Sequence, residues 1–199
     1  MKRKSALLGL LFLMTASLSF AESKPMPSKT AIFAGGCFWC VEAAFAKLPG
    51  VTATEAGYTG GNTPDPTYRQ VTTGQTGHAE AVQVSYDPAR VTYRQLVDFF
   101  WRNIDPTVHN RQFCDVGSQY RTAIYWQSEE ERVIVEESVA ALKKSGRFPK
   151  IFTEIKPAST FYRAEDYHQG YYKTNAYDYN SYYQTCQREQ RLKELWRER

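Results

Sequence analysis

Two thiols three residues apart bracket two aromatic rings in Gly36-Cys37-Phe38-Trp39-Cys40. The run follows a short apolar segment and stands where a helix should begin. A cysteine in that place feels the positive end of the helix dipole, which favours thiolate over thiol. Bulky apolar rings beside a reactive sulfur suit a pocket for an apolar group better than a metal. One Cys-x-x-Cys without a second cluster also falls short of the roughly four ligands of a structural zinc site. These residue types point to cysteine redox chemistry on a small hydrophobic substrate, with Cys37 as the nucleophile. Taken alone, the pair also suits thiol–disulfide exchange or a structural disulfide.

Glu80, in Gly77-His78-Ala79-Glu80, opens an apolar strand. Burial there raises a carboxyl pKa and can hold the group protonated as a general acid near neutral pH. Asp115 to Arg121 reads as a polar loop entering a strand, and Tyr58 and Tyr120 offer hydroxyl donors to a polar substrate atom. Tyr167-His168 carries no specific signal by itself. Eight of the fourteen tyrosines follow residue 160, and that tail reads as packing or surface.

Several elements must position these groups. Thr30 to Ala34 reads as a buried strand, Gly35-Gly36 as a tight turn, and Cys37 to Leu48 as a helix. Val41, Ala44, Phe45 and Leu48 mark its buried face, and Pro49-Gly50 stops it. Residues 57–77, rich in Gly, Thr, Pro and Asn, read as a long loop. Ala79 to Tyr86 alternates as a strand. Thr92 with Gln95 forms a capping box for the next helix. Residues 107–119 read as a second polar loop, holding His109, Cys114 and Asp115. Thr122 to Trp126 is a strand, Ser128 and Glu131 start a helix that runs to Lys144, and Ile151 to Ile155 is a further strand. A tyrosine-rich segment and a charged helix ending near Trp196 close the chain.

The 199 residues are about one domain, and at 42% hydrophobic and 15% aromatic they can bury a substantial core. Residues 1–21 read as a secretory signal. Lys2-Arg3-Lys4 is the positive end, Ala6 to Phe20 is mostly apolar, and Ser19-Phe20-Ala21 supplies small residues for cleavage. The expected site of action is periplasmic or extracellular. Residues 22–29 form a polar, proline-bearing leader, and residues 30–199 the catalytic domain. The formal charge of +4 includes those three early cations, and +1 remains without them. That balance gives no electrostatic case for nucleic acid. Four cysteines remain: Cys37, Cys40, Cys114 and Cys186. In an oxidising compartment they admit two structural disulfides, in any of three pairings.

Five motifs together resemble one family, the A-type peptide methionine sulfoxide reductases. They are Gly-Cys-Phe-Trp-Cys-Val-Glu (36–42), Ala-Gly-Tyr-Thr-Gly-Gly (56–61), Thr-Gly-His-Ala-Glu (76–80), Gly-Ser-Gln-Tyr-Arg-Thr-Ala-Ile-Tyr (117–125) and Ala-Glu-Asp-Tyr-His-Gln (164–169). The resemblance implies an α+β fold: a mixed β-sheet packed by helices, a ferredoxin-like two-layer core with long functional loops. It implies that Cys37 attacks the sulfoxide sulfur, Glu80 protonates the oxygen, Tyr58 and Tyr120 hydrogen-bond that oxygen, and Asp115 orients the site. Phe38 and Trp39 would wall the S-methyl pocket. Cys37 would be left as a sulfenic acid, which a second thiol must condense with. Cys40 is close in sequence and is favoured as first resolver, while Cys186 can resolve or relay. The tail around Cys186 is polar and helical in character, unlike the family's glycine-rich version. Cys114 is read as a loop cysteine without a redox role. The implied partners are free methionine sulfoxide, oxidised proteins or peptides, and a thioredoxin-like reductant. The expected chain is a monomer without metal or organic cofactor.

Overall fold

In the computed structural model, residues 27–197 are described. The proposed signal and most of the leader lie outside them. Six strands form one sheet in the order β7-β6-β1-β3-β2-β8. They are β1 (Lys29–Gly35), β2 (Val51–Thr59), β3 (Ala79–Tyr86), β6 (Thr122–Trp126), β7 (Glu154–Pro157) and β8 (Tyr162–Arg163). All neighbours run antiparallel except β6 and β7, which are parallel. That parallel pair needs a crossover, supplied by helix α4 (Glu129–Lys144).

The strand alternation sorts the two faces. Ala31, Phe33, Ala56, Tyr58, Val82 and Val84 join the main core, shared with α1 (Phe38–Phe45), α3 (Tyr93–Arg102) and α4. Ile32, Ala34, Ala79, Ala81, Ala123 and Tyr125 form a smaller cluster on the other face, packed by Ala158 and Phe161. Odd and even residues of β1 therefore face opposite layers, as a period of two requires. Phe33 stacks between Phe45 and Phe100, with ring centroids 4.9 and 5.1 Å away.

The helix starts follow local chemistry. Thr92 accepts from the Gln95 amide at 3.2 Å, and its own amide donates to the Gln95 side chain at 2.8 Å, closing the capping box. Ser128 accepts from the Glu131 amide, and three glutamates occupy the first turn of α4 with two lysines in its last. That distribution complements the helix dipole.

Three sequence expectations change. Residues 57–59 are not loop but the end of β2, a strand next to the centre of the sheet. Gly57 disguised it, yet a Cβ there would meet Phe161 Cζ at 2.3 Å and the Tyr162 carbonyl at 2.4 Å. The glycine permits close approach of the β8 segment. The rest of that presumed loop carries the short helix α2 (Tyr68–Thr72), started by a Thr67–Gln70 capping box. The second loop contains a small hairpin, β4 (Arg111–Gln112) with β5 (Asp115–Val116). Strand β7 begins at Glu154, three residues later than its apolar run. The tail folds as α5 (Tyr171–Thr174), α6 (Ala176–Thr185) and α7 (Arg188–Trp196), with Cys186 at the break between the last two.

Candidate active site

The strand-to-helix turn is built around Gly36, whose φ of +84° favours glycine. A Cβ there would lie 2.5 Å from Gln112 Cβ. Gln112 is fully buried and bonds both the amide and carbonyl of Asp105, at 2.9 and 2.7 Å. The turn thus presses the second loop against the start of α1.

Cys37 occupies the N-cap of α1, where its carbonyl accepts from the Cys40 amide at 3.1 Å and the Val41 amide at 3.3 Å. Its thiol and that of Cys40 are both free and buried. Glu80 comes from β3, where its residue pairs with Tyr58 of β2. Both face the helix layer, so Glu80 reaches the N-terminal end of α1 and accepts from the Phe38 amide at 3.0 Å. The Glu80 carboxyl therefore caps the same turn that carries Cys37.

Burial dominates the electrostatics. Glu80 is 2% exposed, and desolvation pushes its pKa from 4.5 to about 8 against the pull of the Phe38 amide. Its carboxyl is mostly protonated at neutral pH. Cys37 departs from the sequence expectation: desolvation drives its pKa well above the ordinary thiol value, with Cys40 and Glu80 adding to the rise. Loss of water outweighs the dipole of an eight-residue helix. Cys40 moves down instead, through its hydrogen bond with Cys37 and, against its own desolvation, the Arg188 charge.

The other expected residues converge here too. Tyr120, in the short turn Ser118–Tyr120, stands near Glu80, Tyr68 and Asp115; burial raises its pKa, which keeps it a donor. Tyr58 is fully buried and its hydroxyl donates a hydrogen bond to Glu165 at 2.8 Å. Glu165 also accepts from the Tyr68 amide at 2.8 Å. Asp115 accepts a hydrogen bond from the Tyr182 hydroxyl. Phe38 lies buried beneath the site, 4.9 Å from His168 and 5.9 Å from Tyr58. Trp39 stacks on Tyr171 at 3.8 Å and donates through its indole N–H to His168 Nδ1 at 3.0 Å. That bond makes Nδ1 the acceptor, and burial lowers the His168 pKa, so the ring is neutral.

The cysteine pairing sharpens the resolving question. Cys114 and Cys186 form a disulfide, one of the pairings open to the four cysteines. Cys186 is thereby occupied, while Cys40 stands next to Cys37 as a free thiol. A cavity of about 400 Å³, lined by Cys40, Phe99, Tyr179, Tyr183 and Arg188, opens onto Cys40. Among the described residues, no group of three or more His, Cys, Asp or Glu side chains is placed to hold a metal ion.

Sequence reasoning missed Glu165, His168, Tyr171 and Tyr182. Glu165 and His168 lie inside the fifth motif but make contacts 107 and 129 residues away. Tyr182 and Cys186 are one helical turn apart, the only local sign that the tyrosine belongs near a cysteine contact.

Residues 29–199 match the Peptide methionine sulfoxide reductase family. Peptide methionine sulfoxide reductase MsrA of Limosilactobacillus reuteri is 50% identical over 150 residues, covering 74% of this chain and 86% of that protein. The crystal structure of Mxr1 from Saccharomyces cerevisiae in reduced form is 34% identical, with a TM-score of 0.70 over 80% of this chain and 92% of that one. Mxr1 in complex with Trx2 is 27% identical, with a TM-score of 0.51 over 77% and 91%.

Proposed function

The chain belongs to the peptide methionine sulfoxide reductase family, and from that premise we propose that it reduces the S epimer of methionine sulfoxide, free or in proteins, through a Cys37 sulfenic acid. The observation that carries this reading is the Glu80 carboxyl, protonated by burial and bonded to the turn that holds Cys37. A sulfoxide needs a nucleophile at sulfur and an acid at oxygen. Here both sit on one helix end.

Trp39, held by Tyr171 and His168, and Phe38 below it provide apolar surface for the S-methyl group. Glu80 gives its proton to the sulfoxide oxygen, which makes the sulfur electrophilic. Tyr120 donates to the same oxygen as charge develops. Tyr58 completes the donor pair by turning from Glu165. The Cys37 sulfur attacks, methionine leaves, and the oxygen remains on Cys37 as S–OH. Two electrons pass from the cysteine sulfur to the substrate sulfur. Cys40 then condenses with Cys37–SOH, releasing water and forming a disulfide. An external dithiol of thioredoxin type reduces that bond, approaching through the cavity at Cys40. The complex of Mxr1 with Trx2 supports a donor of this class.

The Lys2-Arg3-Lys4 segment and the apolar stretch after it support export to the periplasm or beyond, with cleavage after Ala21. N-terminal sequencing of protein from the envelope fraction should begin at Glu22. For the chemistry, Cys37→Ser is the test. It is expected to release no methionine from a methionine sulfoxide substrate, and turnover by that variant would overturn the assignment. Insulin reduction measured in parallel separates this reading from thiol–disulfide exchange at Cys37 and Cys40.

A further inference from the structure

Nothing in the reaction as described accepts the proton of Cys37. Burial holds that thiol protonated, and Glu80, already protonated, cannot take its proton before giving up its own. Asp115 is the other carboxyl whose charge reaches this site, acting on Glu80 and Cys40. Tyr182, on α6, donates its hydroxyl proton to Asp115 Oδ2, and its side chain packs against the buried cluster of Cys37, Cys40, Ala43 and Tyr179. Its ring meets Trp39 edge-on, with centroids 6.2 Å apart and planes at 84°. A tyrosine hydroxyl accepts one proton while it gives another, which a direct carboxylate contact would not require.

The disulfide holds this arrangement from both ends. Cys114 immediately precedes Asp115, and the Cys186 amide bonds the Tyr182 carbonyl at 3.0 Å, one turn along α6. The clamp therefore joins the chain segment bearing the carboxylate to the helix bearing the hydroxyl. Arg188 lies just beyond it, bonded to the Asn103 carbonyl at 2.6 Å, and its charge bears on both Asp115 and Cys40.

We propose that Tyr182 is a catalytic residue, whose hydroxyl, bonded to the Asp115 carboxylate and packed with the cluster that contains Cys37, carries the thiol proton to Asp115 as the sulfur attacks, and that the Cys114–Cys186 disulfide clamps it in place. This rests on the reductase reading above. The S–H bond of Cys37 breaks and its proton goes to the Tyr182 oxygen. The original Tyr182 proton moves to Asp115. The freed sulfur pair bonds to the substrate sulfur while its oxygen takes the Glu80 proton. When methionine leaves, Asp115 is protonated and Glu80 is ionised. One proton passing from Asp115 to Glu80 through solvent restores the site, so no further oxidant or reductant is consumed in this step.

Tyr182→Phe tests this, because it keeps the ring against Trp39 and removes only the relay. The full chain, fully reduced at Cys37 and Cys40, is mixed with excess methionine sulfoxide, and the first turnover of methionine is timed. The expected result is a burst slower by at least roughly 10-fold, with little change in the substrate concentration at half-saturation. In a Cys40→Ser background, the pH midpoint for alkylation of Cys37 should rise in Tyr182→Phe. The groups acting on that sulfur are Glu80 and Tyr182, with Asp115 bonded behind Tyr182 and Cys40 absent from this background. Asp115→Asn is the second variant and should slow the burst as well. The Cys114→Ser/Cys186→Ser pair should slow it by a smaller factor. An unchanged burst rate in whichever of Tyr182→Phe and Asp115→Asn folds would overturn the relay. Absence of methionine release from the unsubstituted chain would instead overturn the reductase reading.

Discussion

Replacing Glu80 with Gln separates the acid's role from its shape, because the amide oxygen can still accept from Phe38 N. A carboxyl that titrates at 4.5 in the unfolded chain and at about 8 in the fold binds its proton more tightly when folded. Its contribution to stability is full below pH 4.5 and is lost as pH rises through 8. By linkage, the loss is under about 1 kcal/mol at pH 5 and about 3 kcal/mol at pH 7. Full burial of the group leaves little solvent to screen this cost. The variant has no proton to lose there and escapes the penalty. Its stability advantage over the parent should therefore grow by about 2–3 kcal/mol between pH 5 and pH 7. For a domain of this size that is roughly 5–10 °C in melting temperature. Parallel thermal melts at the two pH values read the difference directly. The same variant should lose most of the first-turnover rate, and the parent's rate should fall once pH exceeds about 8, as Glu80 ionises. A gap in melting temperature that stays constant with pH would refute the reasoning. Glu80 would then titrate as an ordinary carboxylate and have no proton to give at neutrality.

Tyr120→Phe should slow the first turnover more than Tyr58→Phe, since the Tyr58 hydroxyl is engaged with Glu165 before substrate arrives; equal losses in single-turnover assays would count against that ordering. His168→Ala leaves the Trp39 indole N–H without its acceptor, so it should weaken substrate binding more than it slows the burst. A lost buried partner of this kind costs about 1–3 kcal/mol, and steady-state kinetics would show it as a raised KM. Removing the disulfide with Cys114→Ser/Cys186→Ser opens a loop of sequence separation 72 and should destabilise the fold by up to about 4 kcal/mol in denaturant melts. An unchanged midpoint would show that the tail is held by packing alone.

What the sequence showed about this site tracks how local each signal was. The turn and helix start at Cys37, the capping box at Thr92 and Gln95, and the alternation of β3 all depend on residues within a few positions, and all appear in the structure. Placing Glu80 on an apolar strand was enough to foresee its burial. Strand β2 was harder, because Gly57 and Gly60 suggest a loop until the crowding by Phe161 and Tyr162 is visible. The thiolate expected at Cys37 failed for a different reason: the dipole is local and readable, whereas desolvation arises from the tail folding over the site. Glu165, His168 and Tyr182 act on residues 67 to 129 positions away, and no spacing rule announces such contacts. The tyrosine-rich tail read as packing or surface by composition, not as part of a site. In the fold it supplies Tyr171 under Trp39 and Tyr182 beside Asp115.

The central claim is that the sulfoxide oxygen passes to Cys37 and that Cys40 then removes it. The Cys40→Ser chain, given one equivalent of methionine sulfoxide and then dimedone, tests it by mass spectrometry with methionine counted in the same sample. The expected result is one methionine released per chain and one dimedone adduct, on Cys37, with the Cys114–Cys186 bond intact. Methionine release with no adduct and a Cys37–Cys186 bond in its place would contradict the assignment of Cys40, and release with Cys37 left unmodified as a thiol would contradict the mechanism itself.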